Sequence, residues 1–356
     1  MQSTERPGNQ PLHGLSVDWL AEACGTPGDL LWALARDSGQ MYKPPREQKK
    51  WSGGVRVIDP PVARYKRLLR RMNRVLSEAV GVHEAWHGGV KRRSSFTSAR
   101  KHLGKPFLVT RDVRECFSSI GPKDLFRAFT RVGADAAFAT FLSGIMTVRG
   151  RIPQGGPLSN LAVNLFFLRQ DGHLLNVAKA RGAGYSRLTD DFVVSTKSRA
   201  DAVAIGREID QQIEGRGLRI SGRKRFEKGL LPGHRRKEIH SLIVNSRRGV
   251  RLKRPHVQEA MAITEKYARR CACATPSDIR LLAALRERVS GWIYYMRQAD
   301  ESPARHIARM QSLADSKVLS MLRAKGLCPH KGKWWTRSEA ARLPAAWEKL
   351  TSRAVA

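Results

Sequence analysis

Carboxylates are scarce in this chain. Against 65 Lys and Arg stand only 31 Asp and Glu, a formal net charge of +34 over 356 residues. The cations run the length of the sequence, so no single basic tail accounts for the excess. A polyanionic partner follows, most simply nucleic acid, because many distributed cations release many condensed counterions on binding; a ribosome-associated or merely basic soluble protein is the plainer alternative. Cysteine is also sparse. Cys24, Cys116, Cys271, Cys273 and Cys328 make an odd count without a regular framework, which excludes a disulfide scaffold and suits a reducing cytosol. Cys271-Ala-Cys273 and Cys328-Pro-His330 match no common zinc-knuckle spacing. The start, "MQSTERPGNQPLHG", lacks the charged and apolar regions of a signal peptide. The most apolar run, "ADAAFATFLSGIMTV", is too short to span a bilayer and carries Asp135. There is no internal repeat and no low-complexity segment. A soluble, cytoplasmic protein away from membranes is therefore expected, and 41% apolar residues over this length suffice for two or three packed subdomains.

The pattern along the chain is mixed, then helical. "SVDWLAEACGTPGDLLWALARD" predicts two short helices separated by Gly25 to Gly28, and "REQKKWSGGVRVIDPP" a basic β-hairpin turning at Ser52-Gly53-Gly54. "ARYKRLLRRMNRVLSEAV" has apolar and basic faces at helical spacing. From Lys105 a strand "PFLVTRDV" precedes helices near 122–131 and 134–147, a Gly/Pro-rich loop, a helix over 158–180 and a strand pair around Asp190. Residues 201–216 predict a helix, and "GLRIS", "EIHSLIVN" and "GVRLKR" predict strands in a cation-rich stretch. Beyond Pro255 three helices follow. This is an α+β block with an all-helical module after it.

Within that basic chain, "GYSRLTDDFVVST" sets two adjacent carboxylates, Asp190 and Asp191, between two apolar strands. A tight hairpin would present both at the sheet end, where clustered carboxylates resist ionising unless a cation neutralises them. Lys or Arg could do so as a structural ion pair. Mg²⁺, which takes hard oxygen ligands, is the chemical reading, and a third carboxylate is needed to hold two such ions about 4 Å apart for in-line phosphoryl transfer. Asp112 supplies one, ending the apolar strand "PFLVTRDV" with the aromatic Phe117 five residues on. Strand, Asp and aromatic, then a strand-Asp-Asp hairpin, is the arrangement of a polymerase palm. Between them "RIPQGGPLSNLAVNLFF" places Gln154 and two glycines in a loop that opens a helix, where Gly155 and Gly156 admit a close-approaching nucleotide or template base.

Here the chain resembles the reverse transcriptase family, specifically the bacterial retron-type enzymes, with Pro153, Gln154, Gly155, Pro157, Ser159 and Asn164 matching the family's pattern. The likeness extends over about residues 45–300. It implies a right-hand polymerase fold. The divisions would be an N-terminal helical extension (1–40), fingers (41–108 with 121–155), palm (109–120 and 156–250, with primer grip), helical thumb (251–325) and C-terminal tail (326–356). By the same resemblance Asp112 and Asp190 would ligate two Mg²⁺ ions, replaceable by Mn²⁺, with the Val113 carbonyl assisting and Asp191 supporting the site beside the primer end. Phe117 would lie beneath the sugar of the incoming nucleotide and clash with a 2′-hydroxyl, making dNTPs the substrates. Arg56 and Lys49 would meet the triphosphate through the fingers hairpin. Lys224, in "GLRISGRKR", is either a proton donor to pyrophosphate or a plain surface lysine.

Three departures from the family pattern stand out. Leu188 replaces the usual tyrosine two residues before the paired aspartates; "SARKH" keeps Ala99 and His102 but has Ser98 for asparagine; and Ile239-His240-Ser241 replaces Val-Thr-Gly. Leu188 would pack against the primer, and Ala99, His102 and His240 belong to elements associated with the retron's own RNA. Arg235, Arg236 and Lys237 form either a phosphate-contacting track or a solvated basic face. Trp334-Trp335 either stack on bases or pack against the thumb, and His83, His87 and His102 have no regular metal spacing. The function implied is copying of a dedicated structured non-coding RNA into DNA, in antiphage defence and with an effector protein as a candidate partner. The alternatives are another defence-associated or abortive-infection reverse transcriptase with different priming, and a catalytically silent RNA-binding scaffold.

Overall fold

A computed structural model of the chain describes residues 10–49, 54–221, 237–246, 248–272, 278–315, 327–330 and 333–336. They fall into two units, one ending at His240 and the other beginning at Ser241. The hairpin over 242–252, expected in the palm, therefore belongs with the helical module.

The first unit opens with α1 (Val17–Cys24) and α2 (Gly28–Arg36). Ser16 accepts the Trp19 N–H to start α1, and Gly25, in the left-handed region at φ 55°, ends it. The hairpin β1 (Arg46–Lys49) and β2 (Val55–Ile58) is antiparallel, and most of its turn lies outside the described residues. Then come α3 (Ala63–Val80), α4 (Ser95–Arg100), β3 (Phe107–Asp112), α5 (Cys116–Ser119), α6 (Pro122–Arg131) and α7 (Ala136–Ile145). After the Gln154 loop follow α8 (Ser159–Phe166), α9 (Leu168–Ala180), β4 (Gly184–Leu188), β5 (Asp191–Thr196), α10 (Arg199–Glu214) and the short β6 (Glu238–Ile239).

An antiparallel sheet in the order β3–β5–β4 is the centre of this unit. Phe192 and Val194 from it and Ile205, Ile209 and Ile213 from α10 join one continuous apolar core. The helix expected over 158–180 is two helices. The chain turns at Phe167 (φ −96°, ψ 3°), which lets the neighbours Phe166 and Phe167 both enter the core, each edge-on to its aromatic contact. "GLRIS" is no strand; Ile220 makes only an isolated bridge to Val113. The strand expected over "EIHSLIVN" is interrupted at His240 and Ser241, whose φ values of 49° and 66° are both left-handed.

In the second unit β7 (Leu242–Ser246) pairs with β8 (Gly249–Leu252), and α11 (Arg254–Ala272), α12 (Ile279–Arg297) and α13 (Ala304–Asp315) pack on one another. β9 (Leu327–His330) and β10 (Lys333–Thr336) form a further hairpin. No helix among the described residues is long and apolar enough to cross a membrane.

Candidate active site

The acidic hairpin is held from behind. Leu188 and Asp191 are register partners, so Thr189 and Asp190 alone make the turn, with Thr189 at φ 60°. That conformation is unusual for a β-branched residue and needs outside support. Arg187 gives it by donating from Nη1 to the Thr189 carbonyl at 2.5 Å. The 85–89 loop adds more, with His87 N–H donating to Arg187 O (2.8 Å) and Arg187 N–H to Ala85 O (2.7 Å). A Cβ on Gly88 would lie 2.3 Å from Thr189 Oγ1, so glycine is what lets the loop reach the turn. Arg187 is fully buried against the Phe167 and Phe192 rings and bonds Asp171, which also accepts from Trp86 Nε1 (2.8 Å) and Tyr185 OH (2.6 Å). The arginine nearest the turn in sequence is thus committed to Asp171.

Asp112, the last residue of β3, is the register partner of Asp191. Val113 N–H donates to the Asp190 carbonyl (3.0 Å), while Ser221 N–H donates to the Asp112 carbonyl (2.7 Å), fixing the strand end from both sides. All three aspartates are half-buried. Like charges directly opposite on neighbouring strands destabilise a sheet unless something offsets them, and His240 does so in part at Asp191. Beneath this sheet end the buried Cys116 thiol is pushed well above its usual range, by burial first and then by Asp190 and Asp112. No three His, Cys, Asp or Glu side chains among the described residues form a ready-made metal cage. Opposed hard-oxygen donors without a full cage suit Mg²⁺, which keeps waters and shares its shell with substrate phosphates.

A buried polar chain leads away from Asp191. His240 Nδ1 lies 3.1 Å from Asp191 Oδ2, and His240 Nε2 lies 2.9 Å from Ser98 Oγ. Ser98 continues to Ser186 Oγ (2.8 Å), Ser186 to His102 Nε2 (2.7 Å), and His102 Nδ1 to Ser195 Oγ (2.8 Å). A carboxylate only accepts, so for neutral imidazoles every proton in the chain points one way, from Ser195 towards Asp191. Burial first, then His240, His87 and Lys101, pushes His102 down to about 3, keeping it neutral. His87 is likewise pushed down to about 3, by burial first.

These contacts revise several expectations. Ala99 and His102 are 0% and 1% exposed, and the His240 side chain 4%, so they face the interior and support the site instead of meeting RNA directly. Lys237 is also buried, with Nζ on the Lys105 carbonyl at 3.4 Å, which removes it from a phosphate track. Lys224, Arg235 and Arg236 lie outside the described residues, as do the side chains of Lys49, Trp334 and Trp335. Arg56 is exposed on β2, and Leu188 and Phe117 are half-buried. Ile152 N–H donates to Phe117 O (3.1 Å) and Asp59 N–H to Gln154 O (3.0 Å). The α5 turn that follows the carboxylate strand, the Gln154 loop and the end of the β1–β2 hairpin are thereby stitched together. Arg149 and Arg151 secure the junction on the fully buried Asp59 (3.2 and 3.1 Å). Arg187, Asp171, Trp86, Gly88 and Ser186 went unrecognised in the sequence; only the arginine inside an otherwise apolar strand hinted at a buried partner.

Residues 46–228 match the family model described as reverse transcriptase (RNA-dependent DNA polymerase). The retron Se72 reverse transcriptase of Salmonella heidelberg is 26% identical over 184 residues, 51% of this chain and 48% of that protein, so the chain spans about half that relative's length. The retron Ec86 reverse transcriptase of Escherichia coli is 24% identical over 78% of this chain and 77% of its own. Among solved structures, telomerase from Candida albicans in complex with a fragment of telomeric RNA superposes with a TM-score of 0.43 at 10% identity, over 94% of this chain and 69% of that one. The fold class is that of the right-hand polymerases. The chain belongs to the reverse transcriptase family.

Proposed function

We propose that this chain is an RNA-directed DNA polymerase that copies a structured RNA from dNTPs. The observation that carries the reading is the cross-strand opposition of Asp112 and Asp191 with Asp190 in the turn between β4 and β5. Asp112, Asp190 and Asp191, with the Val113 carbonyl, would hold Mg²⁺, or Mn²⁺ in its place. Bound there, the metal supplies charge neutralisation for the phosphates and acidifies the attacking 3′-hydroxyl. The chain's own residues orient the reactants. Phe117 borders the sugar position and excludes a 2′-hydroxyl, Gln154 lies against the base, and Arg56, joined by Lys49, pairs with the triphosphate through its forked donors. The bonds Ile152–Phe117 and Asp59–Gln154 support this, because they bring the three motifs to one place. Leu188 offers an apolar edge to the primer. Lys224 is proposed as the proton donor to pyrophosphate.

The finer reading is retron-type synthesis on a dedicated non-coding RNA, in antiphage defence beside an effector protein. It rests on the family and on the sequence resemblance. Purified protein should extend a DNA primer on an RNA template with dNTPs and Mg²⁺; no incorporation under any divalent ion ends the polymerase reading. Sequencing the copurified nucleic acid tests the finer one. DNA joined to RNA and shortened by debranching is expected, whereas DNA with a free 5′ end, or on a protein side chain, assigns different priming.

A further inference from the structure

Three arginines converge on a cavity formed by helices α6, α8, α9 and α10, whose lining includes neither an aspartate of the catalytic hairpin nor the Gln154 loop. The cavity measures about 320 Å³ and is bordered by Arg131, Arg169, Gln170, His173, Gln212 and Arg216. Arg131 and Arg169 are exposed at its rim. Arg216 is half-buried, its guanidinium 4.1 Å from the Phe166 ring centroid and 3.4 Å from the Phe166 carbonyl, to which Nη2 donates. Its Nε is buried and has no hydrogen-bond partner among the described residues. Among the described residues no carboxylate lines the cavity. Glu208 stands behind it, and there accepts from Gln212 Nε2 (2.9 Å) and pairs with His173 Nε2 (2.7 Å), which fixes two polar lining groups.

The electrostatics of this arrangement run against folding. Burial first, then Arg131 and Arg169, push Arg216 down to about 10, against the opposing pull of Asp124. It stays charged at neutral pH, so the fold bears three clustered guanidiniums and an unused donor. A group that carries negative charge and several acceptor oxygens would relieve both costs, and a guanidinium already stacked on a ring loses little further entropy in binding it. The volume exceeds that of an inorganic ion and suits one nucleotide unit of a strand. Arg planes and glutamine amides beside a phosphate are the means by which proteins take hold of single RNA residues.

We propose that this cavity is a second RNA-binding site, separate from the polymerase centre, that grips the phosphate of one nucleotide of the bound RNA. The inference rests on RNA being this chain's partner. The test compares the exposed pair Arg131→Gln/Arg169→Gln with Arg67→Gln/Arg70→Gln, an equal loss of charge on α3. Affinity for a fluorescently labelled hairpin RNA is measured against salt. The cavity pair should weaken binding about tenfold at physiological salt and lower the log–log salt slope by about one to two, since each phosphate contact contributes just under one. The α3 pair should do markedly less. Arg216→Met, which keeps an apolar chain on Phe166, should repeat the loss. A parallel arm titrates AMP and follows thermal stability; stabilisation that the cavity pair abolishes, with RNA affinity unchanged, would give the same phosphate site to a free nucleotide and overturn the RNA assignment. Equal effects of both pairs in both arms would overturn the site altogether. Primer extension by the parent is scored separately, so a failed polymerase reading and an absent second site are distinguishable.

Discussion

Replacing His240 with alanine removes two buried hydrogen bonds together, one to the Asp191 carboxylate at 3.1 Å and one to Ser98 at 2.9 Å. A bond to a charged group contributes about 2 kcal/mol and one between neutral groups about 1, so a loss of about 3 kcal/mol in unfolding free energy is expected. His240 also sits at φ 49°, a conformation alanine tolerates poorly and asparagine well. His240→Asn therefore separates the backbone cost from the lost bridge, because its side chain is too short to join Ser98 to Asp191. Removing the partner that orients a metal-ligating side chain costs about 10–100-fold in metal affinity or activity. Both variants should accordingly need about tenfold more Mg²⁺ for half-maximal primer extension, with extension partly recovered at high Mg²⁺. In a cycle with Ser98→Ala, the two sites should couple by about 1 kcal/mol. Parental Mg²⁺ dependence in a variant that is measurably destabilised would refute the reasoning, reducing His240 to a core residue.

Phe117→Ala should raise ribonucleotide incorporation relative to deoxyribonucleotide at least tenfold in a competition assay; unchanged selectivity would make Phe117 a packing residue. Asp171→Asn leaves the buried Arg187 without its carboxylate, and breaking such a pair costs about 3–5 kcal/mol, so a loss of that size in unfolding free energy, read from urea denaturation, is expected together with loss of extension. His87 and His102 both have folded values near 3, below the unfolded value of about 6.5. Their contribution is full above pH 6.5 and is lost as pH falls towards 3, at up to about 1.4 kcal/mol per pH unit for each. His102→Gln should flatten the acid limb of the stability curve, and an unchanged limb would place the acid sensitivity elsewhere.

Much of the site was legible because chemistry needs fixed residue types at fixed spacing. The opposed aspartates, the aromatic after Asp112 and the Gln154 loop announce themselves through charge in an apolar context and glycine where backbone must approach closely. What supports them was not legible. Asp171 sits in an ordinary amphipathic helix, and only the folded chain brings it to Arg187 and Trp86. Ser98 and His240, two separate departures from the family pattern, are in contact; a small residue facing a large one keeps the bridge to Asp191, which sequence spacing of 142 positions conceals. The helix break at Phe167 escaped notice for a related reason. Continuous apolar periodicity favours one helix, and the demand to bury two adjacent phenylalanines arises only against the sheet.

The central claim is that Asp112, Asp190 and Asp191 form a metal-dependent nucleotidyl-transfer centre. Single Asp112→Asn and Asp190→Asn variants, assayed side by side for RNA affinity and for Mg²⁺-dependent extension of a primed RNA template, test it most directly. The account predicts extension reduced at least a thousandfold, since a lost ligand removes several kcal/mol of transition-state stabilisation, with RNA affinity within about twofold of the parent. Extension at near-parental rate in either variant would contradict it.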